Sequence, residues 1–266
     1  MSQSRNPYHR DDGCRVVRPS VVAMLDILGF AAMAKEAQRS GTEDAFLSGL
    51  YSALEQGRMH WLEHDRWIES KEGVSVARWM LKDNYALKAF TDNIVMGWPI
   101  RSDGETELGS AFDALAWFQF EMVNAGYFIR GAISVGNVYI DDIAVVGGGL
   151  IEAYEGESTL VRDPRIILTK SAVEAVTEHL NYYGAASGGG SHAPQNRELL
   201  KDADGQLFLN YLDNTVLIDE DNPGYEMLDG HKRRIAEKLR EYRSRPAIWS
   251  TQNRCSRIRD VALTDH

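Results

Sequence analysis

Cysteine is nearly absent: Cys14 and Cys255 are the two in 266 residues. They are far apart in sequence and lack metal-ligand spacing, so neither a zinc site nor a disulfide framework is indicated, and a reduced, cytoplasmic setting is expected. Long apolar runs are missing too. No stretch approaches the roughly 20 residues that cross a bilayer, and the polar start MSQSRNPYHRDDG is not a signal peptide, so no membrane is expected. Basic charge is short, with a net charge of -10 and a pI near 5.2. That argues against a surface for a nucleic acid polymer, which would normally show a basic face. A small anionic substrate is compatible with this balance where metal neutralises it locally. Internal repeats are not found either.

What is there suits one large domain: 44% hydrophobic and 26% charged residues are enough to bury a full core. The segment 1–15 is polar and expected to be loose. A main domain follows over 16–183, then a Gly/Ser-rich loop over 184–197 (GAASGGGSHAPQN) that reads as a mobile surface excursion. Residues 198–266 should add a strand near Gln206 to Leu212 and charged helices packed on the same domain, with a break at Pro246. In that tail HKRRIAEKLREYRSR is basic, but its interspersed Glu residues fit a solvated face.

The informative stretch is VVAMLDILGF, Val21 to Phe30. An apolar run ends on one acid, Asp26, and Gly29 follows, a residue that lets backbone turn tightly against a ligand. This is the pattern of a buried strand delivering a carboxylate to a loop. A second instance is KAFTDNIVMGW, Lys88 to Trp98, where Asp92-Asn93 interrupts two β-prone runs and places an acid at a hairpin tip. If the strands are neighbours, Asp26 and Asp92 reach the same divalent cations, and paired carboxylates on hard metals suit triphosphate chemistry. The amides that open the helix after Leu28-Gly29-Phe30 would favour a phosphate.

Around these motifs the periodicity predicts a strand from Val17 to Leu28, a short helix from Ala31, and a longer helix behind Thr42 with Phe46, Leu50, Ala53 and Leu54 inward. Residues 68–87 read as irregular. An amphipathic helix is expected over Leu108 to Asn124, closed by Gly126, then a strand, a Gly136-Asn137 turn and a returning strand. Helical spacing over Leu150 to Leu160, a strand at 165–169 and a helix over Ser171 to Tyr182 complete the series. The order suits an α+β fold with helices on one side of a mostly antiparallel sheet.

Three segments together resemble the class III nucleotidyl cyclases: Leu25-Asp26-Ile27-Leu28-Gly29-Phe30, Lys88 to Asp92 with Asn93-Ile94-Val95, and Arg130 to Gly136. GGGLIEAYEGES, Gly147 to Ser158, is similar to the helix that follows them. The likeness covers roughly Val21 to Thr169, and its nearest flavour is the pyrimidine cyclases of bacterial Pycsar anti-phage systems. The resemblance implies a ferredoxin-like core with extra C-terminal helices and a homodimer with sites at the interface. It also implies two Mn²⁺ or Mg²⁺ ions per site and a nucleoside triphosphate substrate. By the same resemblance Asp26 and Asp92 are the metal-binding acids, Ile27 lends a backbone carbonyl to a metal, and Gly29 and Phe30 form the phosphate-cradling turn.

Lys88 falls where adenylyl cyclases keep a base-reading lysine, and as a donor it suits a pyrimidine carbonyl. Arg130 leads a strand into the site as a substrate-binding cation. A solvated strand-end lysine and a structural ion pair are the plain alternatives for these two. The chain also departs from the family. Ala144-Val145-Val146 stands where purine cyclases read the base with an Asp, and the family's Asn and transition-state Arg fall near Ile151 and Glu155, which cannot do that work. Either Arg130 or Arg162 substitutes, or the chain is a cyclase-like module that senses nucleotide. A pyrimidine pocket closed by the valines and Tyr51 is the expectation, with UTP ahead of CTP, and an adenylate cyclase or an interaction protein as alternatives.

Overall fold

The computed structural model describes residues 6–70, 85–101, 104–187, 198–212 and 225–243. Its centre is β1 (Arg18–Ile27), flanked by β3 (Asn93–Pro99) and β4 (Ile129–Ile140), both antiparallel to it. β2 (Ala86–Phe90) forms the outer hairpin strand, β5 (Val145–Val146) pairs back on the end of β4, and β6 (Ile166–Leu168), β8 (Leu207–Leu209) and β7 (Leu199–Lys201) extend the other side; the main sheet order is β2-β3-β1-β4-β6-β8-β7. β4 with β6 is parallel and the other pairs are antiparallel. The helices are α1 (Phe30–Ser40), α2 (Glu43–Ser70), α3 (Glu105–Asn124), α4 (Gly148–Leu160), α5 (Lys170–Ser187) and α6 (Tyr225–Arg243). Up to β4, with α1 and α2 together in the place of the first helix, this is the β-α-β-β-α-β arrangement of the ferredoxin-like fold, so the α+β expectation holds.

β1 reads as continuously apolar because both of its faces are covered. Val21, Ala23, Leu25 and Ile27 point into the main core with Leu50 and Ala53 of α2, Phe112, Leu115 and Phe118 of α3, and Ala172 and Val176 of α5. Burying side chains of this size stabilises by roughly 1.5–3 kcal/mol each, which makes α3, apolar nearly all round, the second pillar of the domain. Val22 and Met24 point the other way, into a smaller core with Val95, Val138, Tyr139, Ile140 and Ala153 of α4. The helices therefore do not all share one side: α4 covers the opposite face. That second face carries Asp26, because its side chain alternates with Leu25 and Ile27.

Four local expectations change. Gly136-Asn137 is not a turn, since β4 runs through it and stays in register with β1 as far as Arg18 and Val138. The reversal falls at Asp141–Ala144, where the Asp141 carboxylate accepts hydrogen bonds from the amides of Ile143 and Ala144 and so builds its own tight turn. Gly136 serves packing instead: a Cβ there would lie 2.9 Å from Gly149 Cα, so its absence lets α4 rest on β4. The β2–β3 turn is Thr91-Asp92 rather than Asp92-Asn93, with Phe90 paired to Asn93. The expected loose start is ordered from residue 6, with Tyr8 wholly buried and its hydroxyl 3.0 Å from Ser20 Oγ. Finally α2 continues to Ser70, beyond the expected start of irregular chain, and 71–84 lie outside the described residues.

The Gly/Ser-rich loop lies outside the described residues from 188 to 197, and its first part completes α5. The tail after 243, with Pro246 and Cys255, lies outside them too. α6 packs on α3: Arg234 Nε donates to the Asn124 carbonyl at 3.0 Å, and the His231 ring stacks on Phe120 with centroids 5.3 Å apart. No helix among the described residues is long and apolar enough to cross a membrane.

Candidate active site

Asp26 lies opposite Asn93 in the β1–β3 register, so Asp92 at the hairpin tip is its near neighbour across the strands. The Ile27 amide donates to the Asp92 carbonyl at 2.9 Å, which fastens the tip to the end of β1. The side chain of Asp92 is aimed locally. Its Oδ1 accepts from Thr91 Oγ1 at 2.8 Å and from Asn93 Nδ2 at 3.0 Å. Thr91 takes φ of 53°, a left-handed conformation that a β-branched residue adopts only at a cost, and that cost is borne where the acid is presented. The two acids found in the sequence are thus brought together.

Arg130 stands opposite Asp26 on the other flank, in the β1–β4 register, and its Nε donates to Asp26 Oδ2 at 3.0 Å. The same Nε is 2.8 Å from Glu157 Oε1, and Nη1 donates to the Val161 carbonyl at 3.2 Å. Burial pushes the Asp26 carboxyl above its ordinary range; Arg130 pulls it down and Asp92 pushes it up further. Glu157 is raised by burial in the same way, with Arg130 opposing and Asp26 and Asp92 adding to it. Two acids, Asp26 and Glu157, therefore share one guanidinium, with Asp92 close enough to repel both. Glu157 was not anticipated, although Ala153, Gly156 and Glu157 form the buried face of α4, and an acid at such helical spacing needs a cationic partner.

Gly29 has φ of 77° and caps α1 without a side-chain bond, while the amides of Ala32 and Met33 turn back to its carbonyl. The first-turn amides of Phe30 and Ala31 are then the donors that open the helix. The Phe30 ring packs on Phe46 with centroids 5.5 Å apart, which leaves its backbone at the turn. Lys88 shares the Asp26 face of the sheet, in the row of Val95 and Met24, which puts its Cα about 12 Å from that of Asp26 by strand spacing. Its ammonium donates to the Asp142 carbonyl at 2.9 Å, in the turn that leads into Ala144-Val145-Val146. Lys88 and the apolar stretch therefore converge within one chain.

Other expected contributors are elsewhere. Tyr51 is 61% exposed on α2, whose inward side packs against the opposite sheet face, so it does not close a pocket with the valines of its own chain. Ile151 and Glu155 are on the solvent side of α4, and Arg162 is exposed. Of the two candidate substitute cations, Arg130 is the one paired with a site acid.

Among the described residues no group of three or more His, Cys, Asp and Glu is arranged to hold a metal. Two carboxylates are nonetheless what a magnesium-type ion uses when substrate phosphates and water complete its shell. Asp26 is held above its ordinary range by burial and by Asp92, a condition that a bound cation relieves. Asp92 is oriented by Thr91 and Asn93 in the manner of a supported ligand. The residues present fit divalent ions, with Ile27 supplying backbone at the same strand end.

No protein-family model matches the chain and no curated protein does. Among solved structures the chain is similar to a class III adenylyl cyclase-like ATP-binding protein from Pseudomonas aeruginosa, at 14% identity and a TM-score of 0.44, over 75% of this chain and 40% of that one. It is also similar to the guanylyl cyclase Cya2, at 14% identity and a TM-score of 0.39, over 60% of this chain and 78% of that one. The chain spans less than half the length of the first.

Proposed function

We propose that the chain is a metal-dependent nucleotide cyclase that converts a pyrimidine nucleoside triphosphate, UTP ahead of CTP, to its 3′,5′-cyclic monophosphate and pyrophosphate. The observation that carries this reading is the placement of Asp26 and Asp92 at adjoining strand ends, beside the amides that open α1. Divalent ions, Mn²⁺ or Mg²⁺, supply acidification of the ribose 3′-hydroxyl and neutralisation of the phosphates when bound. Asp26, Asp92 and the Ile27 carbonyl hold them. The turn at Gly29 and Phe30, with the first-turn amides of Phe30 and Ala31, orients the triphosphate, and Arg130, the cation paired with Asp26, serves the reacting phosphate. Lys88 and Ala144–Val146 face the base. A product of this kind acts as a second messenger in bacterial anti-phage defence.

The proposal includes a homodimer. Ile143 is 78% exposed, Ile151 60% and Tyr154 54%, all on α4 or the hairpin before it. An apolar surface beside an incomplete site is what a two-fold pair would bury, and the isologous pair would build two equal sites. One observation favours a second reading, a nucleotide-sensing module with weak turnover: Ile151 and Glu155 offer no donor to a developing phosphate charge. Incubating the protein with Mn²⁺ and each of the four ribonucleoside triphosphates, with products resolved by mass, decides between them. Cyclic UMP supports the cyclase; unchanged triphosphates that nevertheless protect the fold support the sensor.

A further inference from the structure

Arg130 has one Nε–H, and two carboxylates claim it. Asp26 Oδ2, 3.0 Å away, is aligned to accept it. Glu157 Oε1 is closer, at 2.8 Å, yet lies off the N–H direction and has no hydrogen-bond partner although it is screened from solvent. A buried carboxylate oxygen left without a hydrogen bond is costly, so the arrangement calls for a reason.

The anchoring of Arg130 supplies one. Its Nη1 is fastened to the Val161 carbonyl at the end of α4, four residues beyond Glu157, so the guanidinium is tied to the helix rather than to β1. Asp26, in contrast, must release Arg130 if it is to give that oxygen to a cation. We infer that Glu157 is a positioning residue: it is the second seat of Arg130, and receives the guanidinium when a divalent ion engages Asp26. This inference rests on the metal-dependent reading of the site. The exchange needs only a rotation of one side chain about its Val161 anchor. Arg130 serves as the counter-cation of Asp26 in the metal-free chain, and Glu157 keeps it paired and inside the site afterwards. Without the second seat, every cation arriving at Asp26 would strand a half-buried guanidinium.

The test is Mn²⁺ binding to the full chain without nucleotide, followed by electron paramagnetic resonance of the free ion, for wild type, Glu157→Gln, Arg130→Met and the double variant. Glu157→Gln leaves Arg130 with Asp26 alone and should weaken Mn²⁺ roughly tenfold, while in the Arg130→Met background the same change should matter less than about twofold. Glu157→Asp keeps the charge but shortens the seat, and should give a smaller loss in the same direction should the glutamine variant not fold. Two results overturn the inference: wild-type affinity in Glu157→Gln, or an equal loss in both backgrounds, which would make Glu157 a ligand itself. Asp26→Asn separates the levels. If it leaves Mn²⁺ affinity unchanged, the metal reading fails and takes this inference with it; if affinity depends on Asp26 and not on Glu157, the seat exchange alone fails.

Discussion

Asp26 and Arg130 face each other across β1 and β4, and Arg130 Nε donates to Asp26 Oδ2 at 3.0 Å. The pairing follows from the register, since the acid that ends the apolar run of β1 meets the first polar residue of β4. The carboxylate that ends β1 is thereby paired within the chain, and in the proposed metal-dependent reaction a cation would compete with the guanidinium for it.

Asp26→Ala and Asp92→Ala should each abolish turnover and leave the fold intact. Asp92 sits at a hairpin tip and its loss should cost less than about 1 kcal/mol, whereas Asp26→Ala also gives up a part-buried pair with Arg130, which still faces Glu157, so its cost should stay within about 1–2 kcal/mol. Product formation at saturating Mn²⁺, alongside urea unfolding, reads both quantities. Activity within about tenfold of wild type in either variant would end the two-metal assignment.

His231 gives a pH signature apart from the site. Burial against Phe120 pushes its imidazole down to about 4 from its ordinary 6.5. The unfolded chain then binds more protons than the folded one between those values, so stability present above pH 6.5 is lost as pH falls toward 4. The shift corresponds to roughly 3 kcal/mol. Urea unfolding at several pH values should show a shallower slope in this window for His231→Gln than for wild type, and equal slopes would remove His231 as the cause.

Gly136→Ala should destabilise the chain although alanine is small. The added Cβ would meet the Gly149 backbone at 2.9 Å, and backbone cannot rotate aside. Pushing α4 off β4 should cost about 1–3 kcal/mol and lower turnover, because α4 carries Glu157. A melting temperature equal to that of wild type would show that α4 yields without loss.

The proposed dimer makes its own demand on α4. Ile151→Asp combined with Tyr154→Asp puts charge on exposed positions, so the monomer fold should persist. Sedimentation should shift toward the monomer mass and turnover should fall together with it. Mixing Asp92→Ala with Lys88→Ala chains should restore part of the activity if one site draws on both copies. A monomeric wild type with full activity would rule the dimer out.

How much of this was legible in the sequence depends on the reach of the forces involved. Asp26 and Asp92 stood out because each interrupts an apolar run, a local signal. α3 was visible as a long apolar run between turn residues, but the amphipathic face expected there is absent, since buried side chains lie nearly all round it. Gly136-Asn137 misled because turn chemistry is local, whereas ten paired positions between β1 and β4 held the strand straight. Tyr8 was hidden in a polar segment, its burial decided by the sheet face it covers. The Glu157–Arg130 contact joins residues 27 positions apart through α4 packing, and no spacing rule announces such a pair. Tyr51 was assigned to a pocket without knowledge of which sheet face α2 covers.

Base preference is the sharpest remaining test. Lys88 points to the turn before Ala144–Val146, and its ammonium, now on the Asp142 carbonyl, can move to a uracil oxygen at the cost of one exposed hydrogen bond. The apolar stretch supplies no side-chain acceptor for an exocyclic amine, which disfavours adenine and, less strongly, cytosine, since water can replace that partner. Val146 is 59% exposed in the single chain; in the proposed dimer it would close on the base, where one ring is crowded less than two. Measured under one set of Mn²⁺ conditions, kcat/KM should fall in the order UTP, CTP, then the purines. Lys88→Ala should lower kcat/KM for UTP by roughly ten- to a hundredfold while leaving Mn²⁺ affinity intact, since Lys88 is remote from Asp26 and Asp92. A lead for ATP or GTP would overturn the pyrimidine assignment even with the metal acids confirmed.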